Sequence, residues 1–137
     1  MRIVLDTNVL DTNVLVSSLI NPNGKPAAVL NAILSRFVVP CYDARIIDEY
    51  ERVLRRPRFQ FSNDDIRSLL DFFLREGSFV SPEPVSIKLP DLCDLPFVEV
   101  ARASDAPIVT GNAKHFPEDL VKVMSPAMLL DAIHKRY

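Results

Sequence analysis

Carboxylate, hydroxyl and amide side chains recur in this chain directly after short apolar runs. Asp6-Thr7-Asn8 follows Arg2-Ile3-Val4-Leu5, and the pentapeptide DTNVL is repeated at once, giving Asp11-Thr12-Asn13. Thr110-Gly111-Asn112 follows Ile108-Val109, and Asp91 and Asp94 lie just ahead of Pro96. Taken singly, each is a common helix cap or turn former. Taken together, they would meet beyond the carboxyl edge of one sheet if the apolar runs are its parallel strands, and that edge is where open α/β sheets bind ligands. Acids gathered there repel one another unless a cation lies between them, and an oxygen-only donor set suits magnesium or manganese.

The elements that would position these groups can be read from periodicity. Short apolar runs at 2–5, 37–39, 107–110 and 121–124 read as strands, and Phe79-Val80 is too short to assign. Helical spacing recurs between them. One helix covers 26–34. A second begins after Asp43, a residue suited to an N-cap, carries Ile46, Ile47, Tyr50, Val53 and Leu54, and must end before Pro57. A third is marked by Ser62 with Asp65 three residues on, a capping box with a shorter acid, and by Gly77 at its end. Two more start at Leu95-Pro96 and Ser125-Pro126. Strands alternating with helices predict an α/β fold, with helices on both faces of a mainly parallel sheet. The DTNVL repeat is far too short to be a solenoid unit.

Composition narrows the function classes. The 137 residues fit one domain, 1–137, with 48% hydrophobic and 25% charged residues and no run long enough to span a membrane. Met1 to Leu5 reaches Asp6 without the apolar stretch of a secretory leader, so a cytoplasmic location is expected. Cys41 and Cys93 lack zinc or CxxC spacing, so neither a disulfide nor a zinc site is expected. The net charge of −2 argues against coating nucleic acid by bulk electrostatics, so any such contact must be local.

Several stretches in order, Ile3-Val4-Leu5-Asp-Thr-Asn-Val-Leu-Val, Ile47 to Leu54 with Arg56-Pro57-Arg58-Phe59, Asp91-Leu92-Cys93-Asp94-Leu95-Pro96-Phe97, and Val109-Thr110-Gly111-Asn112 with His115-Phe116, resemble a PIN domain. The resemblance runs from Arg2 to about Leu130 and is closest to the bacterial, VapC-like toxins of toxin–antitoxin pairs. No single motif is specific; their order and spacing are. It implies a three-layer α/β/α sandwich and a ribonuclease using one or two Mg²⁺ or Mn²⁺ ions, with an RNA substrate, an antitoxin partner and a homodimer. The first acid falls on Asp6 or Asp11, the second on Glu49 and the third on Asp94, with Asp91 auxiliary. Helix geometry alone sets Glu49 and Glu51 on opposite shoulders of the stripe centred near Tyr50, and it is the family pattern, an acid four residues before Val53, that selects Glu49.

The same resemblance implies further roles. Thr12, Asn13 and Thr110 would orient the first carboxylate and its water, while Arg55, Arg56, Arg58 and Lys114 are candidates for RNA phosphates. Asn112 departs from the pattern, since many PIN domains carry a fourth acid there. An amide can ligate or orient water but brings no negative charge, so the alternative is a weak or inactive PIN-fold module that binds RNA or protein. A shortened segment before Asn112 leaves Asp105 without an assigned role. A phosphatase of the haloacid dehalogenase type is excluded because it needs an acid two residues after its first aspartate, and positions 8 and 13 are both asparagine.

The duplication raises a question of register. With Asp6 as ligand, Thr7 to Leu10 must begin the next helix or bulge into a loop. A continuous helix then sets Asp11 on the stripe of Leu15 and Leu19, where an unpaired carboxylate is costly to bury. With Asp11 as ligand, Thr7-Asn8-Val9-Leu10 replaces the first strand, at the cost of placing Asn8 where Ile3 would lie. Asp11 is favoured on sequence, because it runs directly into the intact Thr12-Asn13-Val14-Leu15-Val16.

Overall fold

A computed structural model describes residues 1–18 and 25–136, with side chains at 1–12 and 28–136. Five strands, β1 (Arg2–Leu5), β2 (Val39–Tyr42), β3 (Ser78–Phe79), β4 (Ile108–Val109) and β5 (Val123–Met124), form one parallel sheet in the order β3-β2-β1-β4-β5. Six helices cover it in a three-layer α/β/α arrangement: α1 (Thr7–Ser18), α2 (Lys25–Leu34), α3 (Ala44–Leu54), α4 (Asn63–Glu76), α5 (Leu95–Ser104) and α6 (Pro126–Arg136). The order reverses around β1, whose carboxyl end is therefore central to the edge where a ligand would sit.

Local chemistry accounts for most element ends. Asp43 accepts a hydrogen bond from the Ile46 amide at 3.1 Å and starts α3; Ser62 accepts from the Asp65 amide at 3.1 Å and starts α4. The second strand is Val39–Tyr42 rather than 37–39. Pro40 is tolerated within it because pairing with β3 begins only at Cys41, so the missing N–H falls beyond the reach of that short edge strand. Asp105 takes a left-handed conformation (φ 51°) and ends α5, which explains its presence without reference to any site.

The core lies on both faces of β1, where Ile3, Val4 and Leu5 are fully buried, and Tyr50, Leu54, Phe73 and Ile108 pack around them. Tyr50 ties a helix layer to the sheet. Its ring is 5.4 Å from that of Phe73, and its hydroxyl donates to the Leu5 carbonyl, fastening α3 to the end of the first strand. A second tie is polar. Arg45 bridges the buried carboxylates of Asp43 (2.7 Å) and Glu99 (2.7 Å), joining the start of α3 to α5, while Glu99 also accepts from the Val85 amide at 2.7 Å.

Gly77 ends α4 with ordinary backbone angles, and its constraint is close approach. A Cβ there would lie 2.4 Å from the Phe73 carbonyl oxygen and 2.6 Å from that of Pro40. Both obstacles are backbone, so relief requires moving α4 against β2. Gly77→Ala is expected to destabilise the protein by about 1–3 kcal/mol. Thermal denaturation checks this, and an unchanged melting temperature would mean that the α4–β3 corner yields freely.

Candidate active site

The register of the duplicated segment is decided by where β1 stops. Arg2–Leu5 is the first strand, so Asp6 stands at its carboxyl end and Thr7 opens α1. This corrects the register in which Thr7 to Leu10 is the strand and Asp11 the ligand at its end. Three apolar residues ahead of the first copy's acid, Ile3, Val4 and Leu5, fill the centre of the sheet, and placing Asn8 there would bury its amide instead. Val9 and Leu10 are buried as helical residues, so the first copy supplies the start of α1 and not a strand. The anticipated cost of Asp11 on a continuous helix is met by two arginines: its carboxylate pairs with Arg56 at 3.0 Å and with Arg58. Leu15, Leu19 and Asn13 lie outside the described side chains.

Asp6 is buried and firmly held. Thr110 donates its hydroxyl to Asp6 Oδ2 at 2.7 Å, the Thr7 amide donates to Oδ1 at 2.8 Å, and Thr110 in turn accepts from the Asn112 amide at 2.9 Å. Burial raises its pKa, with the Glu49 charge adding to the rise, while the Thr110 and Thr7 hydrogen bonds and His115 oppose it.

The third acid stands out. Asp94 precedes α5 but its side chain does not cap that helix, and Oδ2 is buried with no hydrogen-bond partner. The ring of His115 is beside it, Nδ1 at 3.6 Å, beyond hydrogen-bond reach. Burial, then the charges of Asp6 and Asp91, push the Asp94 carboxyl up to about 6. Asp91 is more exposed and accepts from the Cys93 amide at 2.9 Å.

These groups share a cleft of about 300 Å³ lined by Asp6, Asp11, Glu49, Asp91, Asp94 and Asn112, together with Thr7, Asn8, Arg52, Arg56, Cys93, Phe97 and His115. Glu49 faces it, whereas Glu51 turns to Arg55 and a different groove, which resolves the two shoulders of α3. Asp6 comes from the end of β1, Asp94 from the end of the 3₁₀ turn Leu92–Asp94 that leads into α5, and Glu49 from the middle of α3; Tyr50 joins α3 to β1 and Arg45 joins α3 to α5. Among the described residues no three histidine, cysteine or carboxylate side chains close to enclose an ion; Glu49 is instead drawn to Arg52. The buried, unpartnered oxygen of Asp94 and the all-oxygen character of the nearby acids nonetheless fit a hard divalent cation.

Other expected groups are more dispersed. Thr12 is exposed and bonds back to the Asn8 carbonyl at 3.0 Å, so it does not touch the first carboxylate. Arg55 pairs with Glu51 and Asn63, away from the cleft. Arg56 and Arg58 converge on Asp11, and Lys114 is exposed in the turn Ala113–His115 that follows Asn112. Arg52 and Cys93 are cleft residues that sequence spacing did not single out, Arg52 being detectable as a residue three after Glu49; His115, set beside the site by its nearness to Asn112 in sequence, also lines the cleft.

Against known proteins, the model of the PIN domain family matches residues 2–114. The chain is also similar to an uncharacterized protein of Methanocaldococcus jannaschii, with 32% identity over 107 residues, covering 76% of this chain and 69% of the relative. No helix among the described residues is long and apolar enough to cross a membrane. With acids at the carboxyl edge of a five-stranded parallel sheet and a family match across most of its length, the chain belongs to the PIN domain family and has that family's nuclease-type fold.

Proposed function

We propose that this protein is an endoribonuclease that hydrolyses RNA phosphodiester bonds with Mg²⁺ or Mn²⁺ held by Asp6, Glu49 and Asp94, with Asp91 and Asn112 alongside. The observation that carries the reading is the buried Asp94 oxygen without a hydrogen-bond partner, in the same cleft as the carboxylates of Asp6 and Glu49. A bound divalent ion would supply Lewis acidity toward water and positive charge opposite the phosphate. The chain does the rest. Thr110 and the Thr7 amide fix the orientation of Asp6, so its outward lone pairs are presented to the cleft. Release of Arg52 would free Glu49 to face the other two acids. His115, beside Asp94, lies where it can contact a substrate oxygen.

The resemblance to the toxin branch supports a role as the toxin of a toxin–antitoxin pair, acting in the cytoplasm as a homodimer. Asn112 in place of an acid supports a second reading, a PIN-fold module that binds RNA or protein with little cleavage. Metal titration separates the two. On the nuclease reading, millimolar Mn²⁺ raises the melting temperature and supports cleavage of a mixed single-stranded RNA pool; absence of both effects would favour the binding module.

The helix face gives a sharper test. Glu49→Gln is expected to reduce cleavage by roughly a hundredfold or more, while Glu51→Gln, on the opposite shoulder, stays within a few-fold. Measured cleavage rates in the reverse order would sink the assignment of α3.

A further inference from the structure

Among the described residues, each arginine lining the cleft binds a carboxylate, Arg52 that of Glu49 and Arg56 that of Asp11, and the His115 ring stands beside Asp94. Five carboxylates and two arginines line it, so its field opposes an approaching phosphate. The Asp11 contact differs from the others. Arg56 and Arg58 flank Pro57 in the 3₁₀ turn that follows α3, and both reach across to one carboxylate on α1; Arg58 also lies over the Phe59 ring at 5.1 Å. Two guanidinium groups converging on one two-oxygen anion make a cationic pair that suits a phosphodiester as well as a carboxylate. The ion pairs are part-exposed, with Asp11 at 22% and the arginines at 38% and 49% side-chain exposure, so an incoming anion can reach them and exchange partners.

We propose that Asp11 is an internal competitor for the RNA backbone: its carboxylate occupies the Arg56–Arg58 phosphate clamp until an RNA phosphate displaces it. The inference rests on the proposed RNA substrate and extends it by naming the clamp and what holds it closed. The second copy of the DTNVL repeat thus supplies a gate beside the site rather than a ligand within it. Displacement costs the two ion pairs, which are worth little each in a solvated setting, so the gate weakens binding without abolishing it. It also raises discrimination, because an RNA that places one phosphate at the clamp while another part of its backbone lies by Asp6 and Asp94 meets the cost in a single event.

The experiment measures binding of a fluorescein-labelled mixed-sequence 2′-O-methyl RNA oligonucleotide, which resists cleavage, by anisotropy with Mn²⁺ present. Asp11→Asn, nearly isosteric, is expected to bind about five- to tenfold tighter than the wild type, with a log–log salt slope steeper by roughly 0.7–1.4, one or two added phosphate contacts on a single strand. Adding Arg56→Gln and Arg58→Gln to Asp11→Asn should remove that gain, with melting temperatures checking that each variant folds. Equal or weaker binding by folded Asp11→Asn, where the wild type does bind, would overturn the gate and leave the ribonuclease reading standing. If neither the wild type nor the variant binds the oligonucleotide or cleaves unmodified RNA, both the gate and the RNA substrate are overturned.

Discussion

Asp6→Asn is expected to lower manganese-dependent RNA cleavage by roughly a thousandfold, equivalent to about 4 kcal/mol of transition-state stabilisation, while Asp11→Asn stays within about tenfold of the wild type. The difference is one of position. Asp6 follows the central strand directly, is buried, and is oriented by Thr110 and the Thr7 amide, so its negative charge is fixed where the other cleft acids face it. Asparagine preserves the shape and can keep one of these hydrogen bonds, but it removes the charge a divalent ion requires. Asp11 sits on α1 with its charge already matched by Arg56 and Arg58, so its loss withdraws nothing from the acids at the sheet edge. The two variants should be compared as single turnovers at saturating Mn²⁺, with melting temperatures as folding controls. Full activity in Asp6→Asn together with loss in Asp11→Asn would return the ligand role to the second copy.

Asp94→Asn should raise the melting temperature of the metal-free protein at neutral pH and at the same time remove its stabilisation by Mn²⁺. In the folded protein the Asp94 carboxyl is raised from 3.8 to about 6, by burial first and then by Asp6 and Asp91. The folded state therefore binds this proton more tightly than the unfolded state. Stability from this group is fully present below about pH 4 and is lost as pH rises through about 6. Asp6, also raised, acts in the same sense. Allowing for the solvent that reaches Asp94, the loss is on the order of 1 kcal/mol, a few degrees of melting temperature. In EDTA the difference between Asp94→Asn and wild type should thus grow from near zero at pH 4 to several degrees at pH 7. With Mn²⁺ at pH 7 the order should reverse, because only the wild type has the charge to hold the ion. A difference that does not change with pH, or a variant stabilised by Mn²⁺ as much as the wild type, would show that Asp94 carries no metal-compensated charge.

Which parts of this protein its sequence determined depends on how local the physics is. The caps at Asp43 and Ser62 and the start of α5 at Leu95-Pro96 are set by contacts within a few residues, and they lie where composition and spacing place them; α4 also ends at Gly77 as spacing places it, although the close approach to Pro40 that requires a glycine there is tertiary. Alternation of apolar runs with helical stripes is enough for a parallel α/β sheet, and the clustering of Asp6, Asp94 and Asn112 at its edge follows from their places after β1, before α5 and after β4. The start of β2 lies two residues beyond the start of the apolar run at 37–39. Phe37, Val38 and Val39 are as strand-like as Cys41 and Tyr42, and only pairing of Arg2 with Val39 and of Cys41 with Ser78 distinguishes them. The duplicated DTNVL poses the same difficulty in stronger form. Two identical segments have identical propensities within themselves, and their flanks pull in opposite directions, Ile3-Val4-Leu5 leading into the first copy and Val14-Leu15-Val16 continuing the second. The selection is tertiary: Ile3, Val4 and Leu5 complete the buried centre of the sheet, and Arg56 and Arg58, some 45 residues further on, neutralise the acid that this register leaves on α1. Arginines that spacing suggested for phosphate are thereby found on a carboxylate, because the fold brings an anion of the chain's own to the place where an external one would bind.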